Sequence, residues 1–185
     1  MAKKNKAAKP ATPAQSGAKP ADRMYKNRVA LADSVKKKTC GILNNQLASA
    51  LDMYSQAKFA HWNVKGMNFY QLHLVFDDTA KVVFKQIDPI AERITQLGGV
   101  ANGTVAHSAV GTSIPAYNVN AVSGPEHLLS LADSLGKYCA ELRKASDDID
   151  DAGDEPTSDF IKQLVVDAEE ELYFLESHME AGDVQ

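Results

Sequence analysis

What most constrains this chain is an alternation. Long stretches place apolar residues at i, i+3, i+4 and i+7, and short clusters of glycine, proline and capping residues separate them. Asp33 or Ser34 caps a first helix running to about Val64, with Gly66 as the stop, and its apolar face carries Leu43, Leu47, Leu51, Tyr54 and Ala57. Asn68 and Gln71 form a capping-box variant that opens a second helix, ending near Leu97 on Gly98–Gly99. Residues 98–122 read as loop, with room for one short helix. Ser123–Gly124–Pro125 opens a third long helix, to about Asp151, and Asp154–Glu155–Pro156–Thr157 separates it from a fourth over about 158–181. No strand pattern competes. Long helices with one long connection between the second and third predict an all-α four-helix bundle with a crossover.

Composition divides the chain unevenly. Residues 1–22, MAKKNKAAKPATPAQSGAKPAD, hold no large apolar side chain beyond Met1 and cannot offset their ordering entropy by burial, so a disordered tail is expected there and a folded domain over 23–185. Residues 1–28 carry eight bases and one acid, a net +7, which leaves −11 for the remainder of a chain whose total is −4. A basic arm on an acidic body implies a polyanionic partner for the arm. At 44% hydrophobic and 24% charged the body can bury a core and stay soluble. No apolar run is long enough for a transmembrane helix, and no apolar segment follows the N-terminal lysines as in a secretory signal. The two cysteines, Cys40 and Cys139, form no CxxC pair and read as small apolar fillers, so a reducing, cytoplasmic setting is expected.

The second helix carries the chemistry. At about 100° per residue, Phe69, Leu72, Ala80, Val83 and Ile87 fall within about 40° of Phe76 and define the core stripe. His73, Asp77, Asp88 and Glu92 share one flank beside it, along with Phe84 and Lys81. His73 and Asp77 are one turn apart and can face one ion, and Asp88 and Glu92 repeat that spacing. Asp77 and Asp88, however, are separated by about 16 Å of helix, whereas a metal–ligand bond is about 2 Å. The two pairs meet only if two copies of the helix pack antiparallel about a two-fold axis, which would create two identical sites. His61, on the buried side of the first helix, completes the set with a second imidazole. Two imidazoles with several carboxylates suit ferrous iron, and would also accept zinc, cobalt or manganese. Read from spacing alone, a solvated acidic flank with two satisfied histidines remains an alternative.

The stretch AHWNVKGMNFYQLHLVFDD followed by IDPIAERITQLGG, together with the closing ELYFLESHME, resembles the Dps family, the DNA-binding mini-ferritins of starved cells. The resemblance covers about residues 30–181. It implies a ferritin-like bundle assembled as a dodecameric shell, with a ferroxidase centre at the two-fold interface. His61, His73 and Asp77 would come from one subunit, and Asp88 and Glu92 from its neighbour. Hydrogen peroxide would oxidise Fe(II) there, and ferric mineral would be stored inside. Trp62 would lie close enough to be oxidised in place of DNA, although a packing aromatic is an equal reading. The start of the last helix would line three-fold iron-entry pores, with Asp150, Asp154 and Asp159 the chosen acids from a long acidic run. The lysines of the tail, Lys3, Lys4, Lys6, Lys9 and Lys19, would neutralise DNA phosphates without reading sequence and associate the shell with the nucleoid. Two other readings stand beside this one: a nucleoid-binding protein with secondary ferroxidase activity, and a non-catalytic helical assembly with a structural metal site. His107, His127 and His178 are expected at the surface or at caps, and Glu169–Glu171 on a solvated face. One departure is Pro89, inside the second helix between Asp88 and Glu92, which removes the hydrogen bond to the Lys85 carbonyl and threatens a kink.

Overall fold

The computed structural model describes residues 19–179. Five helices follow one another: α1 Asp33–Asn63, α2 Phe69–Gln96, α3 Val105–Gly111, α4 Gly124–Asp150 and α5 Glu155–Glu176. α1 packs on α2 and α4, α2 on α5, and α4 on α5, so the long helices form the expected bundle with its core between them. Leu43, Leu47, Met53, Phe76, Val83, Ile94, Leu135, Tyr138, Leu142 and Ile161 are almost completely buried in it. The Lys65 N–H donates to the Val122 carbonyl at 3.0 Å, which ties the α1–α2 turn to the start of α4. α2 ends at the opposite pole, so the connection to α4 must run the length of the bundle. The short helix allowed for in that connection is α3, which lies on α1.

Local signals explain most boundaries. The Glu126 carboxylate accepts from the Ser123 and Val122 N–H groups at 2.8 and 3.0 Å, fixing the start of α4 one residue before Pro125. α5 begins at Glu155 rather than near residue 158. Asp154 is its N-cap and Pro156 sits in the first turn, where a proline starts a helix instead of breaking it. The caps expected for α1 and α2 differ: Ala32 occupies the N-cap of α1, so Asp33 lies in the first turn, and Asn68 caps α2 without a side-chain hydrogen bond.

α2 runs unbroken through Pro89. Pro89 is exposed, while Ile90 and Ile94 are fully buried, so the core register continues past it. The cost is one lost backbone bond on the solvent face. Pro89→Ala should restore that bond and stabilise the fold by up to about 3 kcal/mol. The expected readout is a raised thermal midpoint with little change in iron oxidation; a large gain in iron binding would instead mean that the proline misaligns Asp88 and Glu92.

Residues 19–22, expected within the disordered tail, are held against the bundle. Ala21 N–H donates to Asn102 Oδ1 at 2.9 Å, the Asn102 amide returns a bond to the Ala21 carbonyl at 3.2 Å, and Asp22 pairs with Lys37 at 3.1 Å. Further along, Tyr25 N–H donates to the Gly98 carbonyl at 2.7 Å. Gly98 has φ +93°, and a Cβ there would collide with the Tyr25 carbonyl, so this crossing requires glycine. Polar backbone pairing, which composition does not reveal, holds the strap down. Lys3, Lys4, Lys6 and Lys9 lie outside the described residues; Lys19 is exposed at the start of the strap.

Candidate metal centre

α1 and α2 bring His61 and His73 face to face. The rings stack at 3.8 Å between centroids with 20° between planes. Each ring is fixed by the other's backbone: His61 Nδ1–H donates to the His73 carbonyl at 2.6 Å, and His73 Nδ1–H donates to the His61 carbonyl at 2.8 Å. Carbonyl oxygens only accept, so both protons sit on Nδ1 and both Nε2 lone pairs are left for another partner. A backbone-anchored Nδ1–H is the usual device that orients a metal-binding imidazole.

Asp77 stands 3.9 Å from His61 Nε2 and is about one quarter exposed. Its carboxylate is held by two ammonium groups, Lys58 at 2.6 Å on Oδ1 and Lys81 at 3.0 Å on Oδ2. Lys58, foremost, pushes the Asp77 pKa down to about 2, so this carboxylate is ionised throughout the neutral range. Tyr54, Lys58, Asp77, Ala80, Lys81 and Phe84 line a recess of about 140 Å³. Lys58 was not among the residues singled out in the sequence, although it lies one turn before His61 on the same face.

Asp88 and Glu92 lie exposed further along α2. Among the described residues, no three histidine, cysteine or carboxylate side chains converge closely enough to hold a metal ion. Asp88 and Glu92 thus stand apart from His61, His73 and Asp77 within one chain. Trp62, beside His61, is 63% exposed rather than packed in the core, with Lys58 Nζ 5.8 Å from its ring centre.

The acidic junction is less uniform than its sequence. Asp154 is 2% exposed and points inward: Thr157 Oγ1 donates to it at 2.6 Å and Arg93 lies 3.5 Å away. Its role here is to cap α5 and anchor α2, which corrects its assignment to a pore lining. Asp150 and Asp159 are exposed, Asp159 pairing with Lys162 at 2.8 Å. Two further expectations change. His127 is fully buried and bonded to Tyr117. Glu171 leaves the solvated face to accept from Thr79 at 3.0 Å in the interior. His107 and His178 behave as expected, His107 bonding Thr104 at 2.7 Å near the start of α3 and His178 the Phe174 carbonyl at 2.7 Å just past the end of α5.

Comparison with known proteins agrees with this architecture. The family described as Ferritin-like domain matches residues 40–183. A protein named DNA protection during starvation protein from Agrobacterium fabrum is 36% identical over 156 residues, spanning 84% of this chain and 96% of that protein. Among solved structures, DpsC from Streptomyces coelicolor superposes with a TM-score of 0.82 at 28% identity, covering 91% of this chain and 99% of that one. A Dps protein from Bacillus brevis superposes at 0.74 with 31% identity, covering 80% of this chain and 98% of that one.

Proposed function

The chain belongs to the Dps family of ferritin-like proteins, and from that membership we propose that it oxidises Fe(II) at a site shared across a two-fold interface and stores the ferric product inside a twelve-subunit shell. The observation that carries this reading is the reciprocal anchoring of His61 and His73, which leaves both Nε2 atoms unused and sets that of His61 3.9 Å from an ionised Asp77. The Asp88 and Glu92 carboxylates of a neighbouring subunit complete the sphere. Nitrogen and oxygen donors in this proportion suit Fe(II) and leave room for peroxide.

The chemistry is a pair of one-electron oxidations against one two-electron reduction. Two Fe(II) give two electrons to hydrogen peroxide, the O–O bond breaks, and two hydroxide equivalents leave without free hydroxyl radical. Asp77, Asp88 and Glu92 balance the charge gained as Fe(II) becomes Fe(III), and Trp62 stands close enough to be oxidised in place of DNA. Asp150 and Asp159 would draw cations toward three-fold pores by their summed field. The basic tail would bind DNA and place the shell at the nucleoid. Anaerobic Fe(II) loading followed by peroxide, with ferric absorbance recorded on the millisecond scale, tests the central reading. A fast phase that needs His61 and Asp88 is expected; binding without oxidation would leave only a structural metal site.

Lys58 competes with the metal for Asp77. Replacing it in Lys58→Met keeps the aliphatic stem and removes the ammonium. For a partly exposed pair this should tighten Co(II) binding by roughly 2–5-fold, measured by calorimetric titration of the assembled shell. Weaker binding in this variant would show that Lys58 positions Asp77 for the metal instead of competing with it.

A further inference from the structure

Tyr117 and His127 form a second constellation, distinct from the metal ligands. Tyr117 lies in the crossover, and its hydroxyl is 2.7 Å from His127 Nδ1 on α4. His127 is fully buried, and Tyr117 is its one side-chain hydrogen-bond partner among the described residues. Aromatic rings surround the pair. Phe59 meets Tyr117 edge-on at 5.3 Å, and Phe76 lies 6.3 Å from the His127 ring. Both adjoin the candidate metal centre in sequence, Phe59 following Lys58 on α1 and Phe76 preceding Asp77 on α2. Tyr54 lines both the recess that holds Asp77 and the groove that holds Tyr117.

We infer that Tyr117 and His127 are a proton-coupled redox pair that holds one oxidising equivalent when peroxide is split one electron at a time. This rests on the reading that Fe(II) and peroxide meet at the Asp77 end of α2. A lone Fe(II) reduces hydrogen peroxide by one electron to hydroxide and an oxidant of the hydroxyl-radical class. That oxidant takes an electron from the Tyr117 ring and becomes a second hydroxide. The Tyr117 O–H bond breaks, and its proton passes to His127 Nδ1, leaving a neutral phenoxyl radical and an imidazolium. A second Fe(II) returns the electron, and the imidazolium returns the proton to oxygen. The sum is two Fe(II) oxidised per peroxide, as in the concerted reaction, with no radical released.

The ground state suits this role. Burial raises the Tyr117 pKa and lowers that of His127, so neither group ionises at rest and the proton transfers only when the electron leaves. The adjacent Glu126 carboxylate favours the imidazolium formed in that step. The 2.7 Å contact carries this step in the tautomer in which His127 Nδ1 is unprotonated and accepts from the Tyr117 hydroxyl.

The test uses the full-length shell loaded with one Fe(II) per site, mixed with peroxide, freeze-quenched and examined by electron paramagnetic resonance. A phenoxyl signal is expected in the wild type. It should be lost in Tyr117→Phe, which removes one oxygen and keeps the ring, and should decay at least about tenfold faster in His127→Gln. An undiminished signal in Tyr117→Phe overturns the proposal, as does the absence of a tyrosyl signal while ferric absorbance rises normally. If ferric absorbance does not rise at all, the iron-oxidation reading has failed instead. The pair is then decided by flash oxidation with a ruthenium trisbipyridyl–persulfate couple. Phenoxyl absorbance that disappears in Tyr117→Phe supports the pair, and equal absorbance in both proteins overturns it.

Discussion

Co-expressing His61→Ala subunits with Asp88→Ala/Glu92→Ala subunits in equal amounts should restore about one quarter of the wild-type fast ferroxidation, although neither variant alone retains it. The fraction follows from symmetry. In the proposed two-fold dimer each site would take His61, His73 and Asp77 from one subunit and Asp88 and Glu92 from the other. A mixed dimer therefore carries one site with both halves damaged and one with both halves intact. Random pairing makes about half of the dimers mixed, and half of their sites are whole. The yield scales as the product of the two subunit fractions, so a three-to-one mixture should give about one fifth. Each variant alone should lose at least about 100-fold in rate, since even supporting residues around a metal are worth 10–100-fold in affinity or activity. Mixed shells verified by mass spectrometry that recover no fast phase would mean that the site is not shared.

That experiment rests on a feature written plainly in the sequence. The periodicity of α2 placed Leu72, Phe76, Ala80 and Val83 in the core, and all four are buried, whereas Phe69 in the first turn is exposed and Ile87 only partly buried. The same periodicity put His73 and Asp77 on a common flank, and the rise per residue separated them from Asp88. Local spacing was enough for these, because a helix fixes the relation between neighbours one turn apart. What was not legible depends on residues far apart in the chain. The Nδ1–carbonyl exchange between His61 and His73 exists only because α1 and α2 pack closely at that level. Asp154 was chosen with Asp150 and Asp159 as a pore acid, yet the packing of α2 on α5 turns it toward Arg93 and Thr157. His127 had no ligand-spaced partner along the sequence; its partner is ten residues away, brought back by the turn that opens α4. Pro89 is a separate case, since the sequence already ran the second helix through it to about Leu97. A proline inside a helix warns of a break, but on the solvent face of a helix with a continuous buried stripe the packing outweighs one missing bond.

Removing residues 1–18 should abolish DNA binding while leaving iron oxidation and shell assembly intact. Lys3, Lys4, Lys6 and Lys9 leave with that segment, but the strap that begins at Lys19 stays. A longer deletion through residue 22 would also remove the Ala21–Asn102 bonds and the Asp22–Lys37 pair, and so confuse loss of DNA contacts with loss of stability. The expected effect is large because charge opposes the remainder of the protein. Without residues 1–18 each subunit carries 16 bases and 24 acids, a net −8, and a shell of such bodies repels a polyanion. The lysines of residues 1–18 are the charges that would offset that field, and several such segments on one shell would act together. If two arms engage about eight phosphates, affinity in the intact protein should fall by roughly 10³–10⁵ between 50 and 200 mM salt. The truncated shell should show no gel shift even at the low end. Binding that survives truncation with its salt dependence unchanged would place the DNA contacts on the body, and the basic arm would then need a different polyanionic partner.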